Sequence, residues 1–355
     1  MSNENPTIAV RDGEELDLTA VDACLKANIP GLEGTPELQQ FSSGNSNLTY
    51  QLTYDNRKLV LRRPPFGTIA KSAHSMIREY RIMNSLKPVY PAVPETPFYT
   101  DDESIMGCEF YVMDKVEGLV IREDFPIAWG LDDAGRGALC ESFFDKLIDL
   151  HKIDYKAIGL EDFGRPVGYV ERQVKGWNKR YENAMTSDVS EFVDVRQWLE
   201  DNMPTGETTH SILHGDFRID NVIFGPDNAN DIRAVLDWEI SALGDPLMDL
   251  GNTLAYWVQA DELEEMAGMV MQPSHKPGMM TRKGVIAYYG DKTGEDVSNF
   301  LFYLVYGYFR NAVILQQIYY RYFNGQTKDK RFSTFGFAVE ILGGKCRKLI
   351  AAGQI

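Results

Sequence analysis

Apolar and polar positions follow two rhythms along this chain, and the rhythm changes about a third of the way through. Early on, the period is mostly two. Leu48, Tyr50, Leu52 and Tyr54 alternate with polar neighbours, which predicts a strand. Lys58 to Pro65 and Glu109 to Gly118 read as two further strands. Between them, Met76, Tyr80, Met83 and Leu86 have helical spacing, and Pro88, Pro91, Pro94 and Pro97 mark a connecting segment. Near the amino terminus a helix is expected over Leu18, Val21, Leu25 and Ile29, with Thr19 as a candidate cap and Pro30 as its stop. Residues 1 to 15 read as a flexible tail.

Beyond Gly118 the pattern becomes helical. Leu139, Phe143, Leu147 and Leu150 share one face that ends at His151, and another helix starts near Tyr169. From Asp261 onward, aromatic residues recur at three- and four-residue spacing, as core helices require. One passage interrupts the helices. Val222 to Phe224 is apolar, GPDNAND is turn-rich, and Ala234 to Leu236 is apolar again, which predicts a hairpin.

The two ends of that hairpin carry the chemistry. Asn221 begins one strand and Asp237 ends the other, so an antiparallel pairing brings a carboxamide beside a carboxylate. His214, Asp216 and Asn221 form an H-x-D-x-x-x-x-N pattern that leads into the first strand. Mg²⁺ takes oxygen ligands, often one or two carboxylates together with substrate phosphates. Asn221 and Asp237 are the candidate metal ligands. Asp216 is the candidate base, accepting or orienting the proton of an attacking hydroxyl. Without further support, the same residues would also suit an ordinary hairpin with solvated acids.

Charge and cysteine content narrow the field. The 355 residues carry a net charge of −16, which argues against nucleic acid or an anionic membrane as partner. The four cysteines form no C-x-x-C pair, so neither a zinc site nor a disulfide framework is expected. The polar, acidic start does not read as a signal peptide, so none is expected, and the apolar run Phe300 to Phe309 is too short to span a bilayer. A cytoplasmic location is the expectation.

The segment ILHGDFRIDNVIFGPDNANDIRAVLDWE, followed by GDPLMDLG, resembles the catalytic core of the aminoglycoside phosphotransferase family. These are small-molecule kinases, related to choline kinases, with a protein-kinase-like fold. HGD stands where protein kinases carry HRD, and LDWE where they carry DFG. GLEDFGRPVGYVERQV and LRRPP are most similar to the subgroup related to the kinase-like domain fused to some acyl-CoA dehydrogenases. The Asp162 to Gly164 DFG precedes HGD and follows no strand, so it reads as a loop.

The resemblance implies an α+β fold of two lobes. The first, residues 1–113, is an antiparallel-sheet lobe that binds nucleotide; the second, residues 114–355, is a mainly helical lobe with the catalytic and substrate groups. It also implies ATP and Mg²⁺ as cofactors and a small-molecule hydroxyl as acceptor. Ser43, Gly44, Asn45, Ser46 and Asn47 match the nucleotide-positioning loop, although neither G-x-G-x-x-G nor a Walker A motif is present. Met113 to Val116 match the join whose backbone grips adenine.

Arg62 takes the place of the phosphate-holding lysine, as in choline kinases, and Arg63 reads as a solvated edge charge. Glu79 is the candidate partner of Arg62, the alternative being a surface acid in a helical charge network. Arg218 sits where protein kinases often carry a lysine that reaches the γ-phosphate, the alternatives being a solvated charge or one pairing with a substrate anion. His214 is expected to be a packed, structural residue. The family aspartate matching Asp245 braces the catalytic loop through its backbone, and Asp249 is then a structural or first-turn acid. Glu239 remains open towards metal or substrate.

Acidic pockets for aminoglycosides are not expected, because the last forty residues are net basic. The subgroup points instead to a hydroxylated acyl compound, with Arg172, Lys175 or Arg310 as candidates for an anionic acceptor. The alternative is a nucleotide-binding regulatory module without turnover. A protein kinase is disfavoured because no APE-like segment follows Asp237.

Overall fold

The computed structural model describes residues 7–42, 47–66, 75–205 and 209–355. Its strands are β1 (Thr7–Ile8), β2 (Glu37–Phe41), β3 (Leu48–Thr53), β4 (Lys58–Arg63), β5 (Phe98–Thr100), β6 (Phe110–Asp114), β7 (Leu119–Val120), β8 (Ser211–Leu213), β9 (Val222–Gly225), β10 (Asn228–Val235) and β11 (Ala242–Gly244). The helices used below are α1 (Leu18–Asn28), α2 (Met76–Leu86), α3 (Glu103–Met106), α4 (Asp133–His151), α5 (Tyr169–Asn183), α6 (Val193–Asp201), α7 (Pro246–Ala255), α8 (Leu263–Met266), α9 (Arg282–Thr293), α10 (Phe300–Phe323) and α11 (Phe335–Ala352). The chain divides into two compact units. The first comprises Met1–Ile121, Ile158–Leu160 and Asp220–Ser241, so the hairpin β9–β10 belongs with the amino-terminal sheet. The second holds the remaining, mainly helical residues.

In the first unit a six-stranded antiparallel sheet runs in the order β1-β2-β3-β4-β6-β5. Alternation puts Tyr50, Leu52, Leu59, Leu61, Phe110 and Val112 into one apolar cluster with Val21 and Leu25 of α1. Two local expectations change. Asp17 caps α1, accepting from the Ala20 amide at 3.1 Å, so Thr19 lies inside the helix rather than at its cap. Residues 7–15 are not a flexible tail. Thr7 and Ile8 pair with Phe41 and Gln40, Gln40 Oε1 accepts from the Arg11 amide at 3.0 Å, and the Tyr50 hydroxyl donates to the Glu14 carbonyl at 2.7 Å.

A third correction concerns Arg63, which is 4% exposed rather than a solvated edge charge. It lies on the same strand face as Leu59 and Leu61, which is the core face. Its guanidinium is accommodated there by donating to the Pro64 carbonyl at 3.0 Å and stacking 3.7 Å over the Phe66 ring. Arg62 points to the other face, as expected.

In the second unit, α7 and α10 pack with their main chains in contact. A Cβ at Gly251 would collide with the Tyr303 carbonyl, and one at Gly307 with the Gly251 carbonyl. Only glycine permits that approach. The short ribbon β8–β11 pairs Ser211 with Gly244 and delivers the chain directly into His214. Asp162 to Gly164 is irregular, as expected of a loop. Among the described residues, no helix is long and apolar enough to cross a membrane. All four cysteines are free thiols.

Candidate active site

The site residues fall into two groups, one in each unit. In the first unit the hairpin does what its pattern implied. Val222 pairs with Val235, and the Leu236 amide donates to the Asn221 carbonyl at 2.8 Å. Asn221 and Asp237 are therefore neighbours across the open end of the hairpin. The turn is tighter than expected, because β10 already begins at Asn228. Asp237 adopts φ 68°, a left-handed conformation that a non-glycine residue holds at a cost of about 1–3 kcal/mol.

Arg62 on β4 faces three carboxylates: Glu79 at 3.2 Å, Asp237 at 3.4 Å and Glu239 at 3.7 Å. Glu79 is 1% exposed, so it is not a surface acid. It also accepts from the Tyr111 hydroxyl at 2.8 Å and from Asn47 Nδ2 at 3.1 Å. The same Asn47 amide donates to Glu239 at 3.0 Å. Burial works against the charge on Arg62, but Tyr111, Glu79, Asp237 and Glu239 outweigh it and hold the guanidinium above its ordinary value. Burial raises the Glu79 carboxyl, and Arg62 and the Tyr111 hydroxyl oppose it. A guanidinium does not give up its proton in such a setting, so the pair is read as ionic.

Of the candidate nucleotide loop, Ser43, Gly44, Asn45 and Ser46 lie outside the described residues. Asn47 is described, and its buried amide holds Glu79 and Glu239 together. Met113 is buried and pairs with Val60. The amides next to it are taken: Asp114 donates to Glu95 at 2.8 Å and Lys115 to Lys58 at 3.0 Å. Val116 packs with Leu236 against Val120, Ile223 and Ala234. Tyr111 had no sequence signal beyond its place on a strand. Its register opposite Arg62 is what brings it to Glu79.

In the second unit the HGD loop is held by its backbone. Asp249 accepts from the amides of His214, at 2.7 Å, and Gly215, at 2.8 Å. This corrects the assignment of that role to Asp245. Asp245 instead caps α7, accepting from Leu247 at 2.8 Å, and accepts from the Tyr303 hydroxyl at 3.0 Å. The physical reason is position: Asp245 is bound to the helix start, whereas Asp249 lies one turn further along the helix.

Asp249 is fully buried and also meets His151 Nε2 at 3.2 Å, while His151 Nδ1 meets the Tyr289 hydroxyl at 2.8 Å. Burial opposes its charge, but the hydrogen bond from His151 and the His151 and His214 rings win, and the carboxyl is held below its ordinary value. Asp245 shows the reverse. Burial pushes it up to about 6 against its hydrogen bonds from Leu247 and Tyr303.

His214 is fully buried, and its Nδ1 accepts from the Asp216 amide at 3.2 Å, in keeping with a structural residue. Gly215 has φ 86° and its carbonyl accepts from Arg310 at 3.1 Å. Arg218 is not solvated. Its side chain is 14% exposed, its Nε lies 3.6 Å from an Asp216 carboxylate oxygen, and its guanidinium sits 4.9 Å over the Tyr256 ring. Gln272 accepts from the Ile219 amide at 3.0 Å and so pins the end of the loop. Neither Gln272 nor Arg310 could be assigned to the loop from spacing, because both come from distant helical or irregular segments.

The first unit thus holds a buried cation ringed by acids and a hairpin with paired oxygen donors, and the second an HGD loop held by its main chain. The model of the phosphotransferase enzyme family matches residues 37–280, and the chain belongs to that family. Mouse acyl-CoA dehydrogenase family member 10 is 37% identical over 312 residues, covering 86% of this chain and 29% of that protein. The chain spans between 29% and 45% of the length of the first vertebrate acyl-CoA dehydrogenase family proteins it matches. Among solved structures, a Ralstonia eutropha JMP134 protein described as an aminoglycoside phosphotransferase superposes with a TM-score of 0.79 at 29% identity, covering 94% of this chain and 99% of that one. An ADP-bound aminoglycoside phosphotransferase shares the fold at a TM-score of 0.53 and 17% identity, covering 92% and 97%. The expected α+β fold, with an antiparallel amino-terminal lobe and a helical carboxy-terminal lobe, is the fold observed.

Proposed function

We propose that this chain is an ATP- and Mg²⁺-dependent kinase that phosphorylates a hydroxyl of a small molecule, with a hydroxylated acyl compound as the acceptor class. The observation that carries the reading is the alignment of Asn221 and Asp237 across the hairpin, with Arg62 held against Asp237 at 3.4 Å. A carboxamide and a carboxylate are hard oxygen donors and suit Mg²⁺. Bound there, the cation would neutralise charge on the transferring phosphoryl group. Arg62 would grip nucleotide phosphates, with Glu79 fixing its guanidinium. That the similar ADP-bound protein binds a nucleotide on the same fold supports this role for the first unit.

Asp216 takes or orients the proton of the acceptor hydroxyl. The acceptor oxygen then bonds to the γ-phosphorus, the bond from that phosphorus to the bridging oxygen breaks, and ADP leaves. Arg218, beside Asp216, offers positive charge to the transferring group. The similarity to acyl-CoA dehydrogenase family proteins supports the acyl character of the acceptor.

ADP release from Mg·ATP, measured against hydroxy acids, hydroxyacyl-CoAs, amino alcohols and aminoglycosides, tests the reading. Acceptor-dependent ADP that disappears in Asp216→Asn and Asp237→Ala is the expected result. Full turnover in Asp237→Ala would remove the metal assignment. Binding of ATP without turnover on any acceptor would favour a regulatory module instead.

A further inference from the structure

Three basic residues are candidates for an anionic acceptor, and the structure separates them. Lys175 is exposed and pairs with Glu171 at 2.6 Å. Arg172 donates to the carbonyls of Val167 and Arg165, closing its own loop. Arg310 differs from both. It is 7% exposed, sits on α10, and donates through Nη2 to the Gly215 carbonyl, one residue before Asp216. Its guanidinium stacks 5.4 Å over the Trp177 ring. Its other terminal nitrogen, Nη1, is buried and has no hydrogen-bond partner among the described residues.

A buried N–H without an acceptor is costly, and a charged one more so. The two terminal nitrogens of a guanidinium project as a planar fork that matches an oxyanion. One tine is occupied by the Gly215 carbonyl, and the other is covered but has no acceptor among the described residues. Burial acts against the charge here, and Tyr256, Tyr306 and Asp216 offset it, so the group stays cationic. Asp216 contributes to that balance but is the group assigned to the acceptor hydroxyl. An oxyanion on the acceptor itself would supply the missing partner in the same binding event.

We infer that Arg310 is a specificity-determining residue that reads an oxyanion, a carboxylate or a phosphate, carried by the acceptor on the same molecule as the reacting hydroxyl. The assignment rests on the kinase reading above and adds the charge of the acceptor. It makes an acidic alcohol, not an amino alcohol or a polyamine sugar, the preferred class. Selectivity should be steep, because an acceptor lacking the anion leaves Nη1 unpaired.

The test compares hydroxy acids of two to six carbons with diols and amino alcohols of the same lengths, and with their phosphate monoesters. ADP release is followed in the wild type, Arg310→Gln and Arg310→Lys. The wild type is expected to prefer the anionic member of a set by tenfold or more in kcat/KM. Arg310→Gln also loses the contact to the Gly215 carbonyl, so kcat should fall for every acceptor alike; the ratio of kcat/KM between the anionic and neutral members should collapse towards one, and Arg310→Lys should restore part of that ratio. A preference for the diol or amino alcohol overturns the assignment, as does a preference that survives in Arg310→Gln. A raised KM for ATP would put Nη1 on the nucleotide instead, which also overturns it.

Titration with acetate and with inorganic phosphate, read by tryptophan fluorescence with Trp177→Phe as control, separates the two readings. Saturable binding lost in Arg310→Gln supports the subsite even if no probe is turned over, in which case the kinase reading alone falls. No saturable response to either anion, with hydroxyl-dependent ADP release intact, removes the subsite and leaves the kinase.

Discussion

The two groups of site residues are held by different means. Around Arg62, side chains hold side chains: one guanidinium meets Glu79, Asp237 and Glu239, and Asn47 ties two of those acids together. Around His214 and Gly215, side chains hold main chain: Asp249 takes two amides and Arg310 a carbonyl. The first arrangement can exchange partners when a ligand brings its own charge. The second leaves the loop one conformation, because breaking any of these hydrogen bonds would orphan a buried backbone group. The proposed kinase would need both properties, since charge on a nucleotide would come and go while Asp216 would have to stay in register.

The sharpest break in this comparison is Asp249→Ala. It leaves two amides and His151 without their acceptor and should lower stability by on the order of 3–5 kcal/mol. A urea midpoint within error of the wild type would show that the loop does not depend on this brace. The next effect sharpens the contrast within α7 itself. The folded-state value of Asp245, about 6, lies above its ordinary 3.8, so its contribution is full below the ordinary value and is lost as pH rises through about 6. The loss should approach about 3 kcal/mol.

Asp249, held below its ordinary value, contributes in the opposite sense: its stabilisation is present above that value and is lost on acidification. Asp245→Asn should therefore flatten the decline between pH 4 and 6 in denaturation midpoints, and a wild-type curve that rises across that window would contradict the assignment. The smallest effect is Glu79→Gln. It keeps the shape but removes the charge facing Arg62, so KM for ATP should rise about tenfold, or about 1.4 kcal/mol. A loss confined to unfolding stability, with KM for ATP unchanged, would place Glu79 with the rigid group.

How much of this was legible in the sequence follows the same division. The hairpin, Asn221 and Asp237 are set by local alternation and a turn, and the pairing of β9 with β10 follows from neighbours in the chain. Arg62 and Glu79 were legible through strand phase and through resemblance, since α2 is the next element after β4 among the described residues. Asp245 and Asp249 were not separable. They are the same residue type four positions apart, one capping α7 and one inside it, and only the approach of residues 214–215 to Asp249 decides between them. Arg63 failed for a similar reason. Alternation correctly put it opposite Arg62, but the Phe66 ring that makes its burial tolerable is a tertiary contact. Tyr111 was legible only as a strand residue and Arg310 only as one of three basic candidates for an anionic acceptor; their hydrogen-bond partners, 32 and 95 residues away, were not.

The glycines at 251 and 307 have a consequence for how this chain can vary. Asp249 and Arg310 stand on the two helices that those glycines bring into main-chain contact. The gauge between the two grips on the HGD loop is therefore a backbone stop, which repacking of neighbouring side chains does not reset. A single methyl at either glycine would widen that gauge and move both grips together. Two positions with no chemistry of their own thus act as the calibration of the HGD loop.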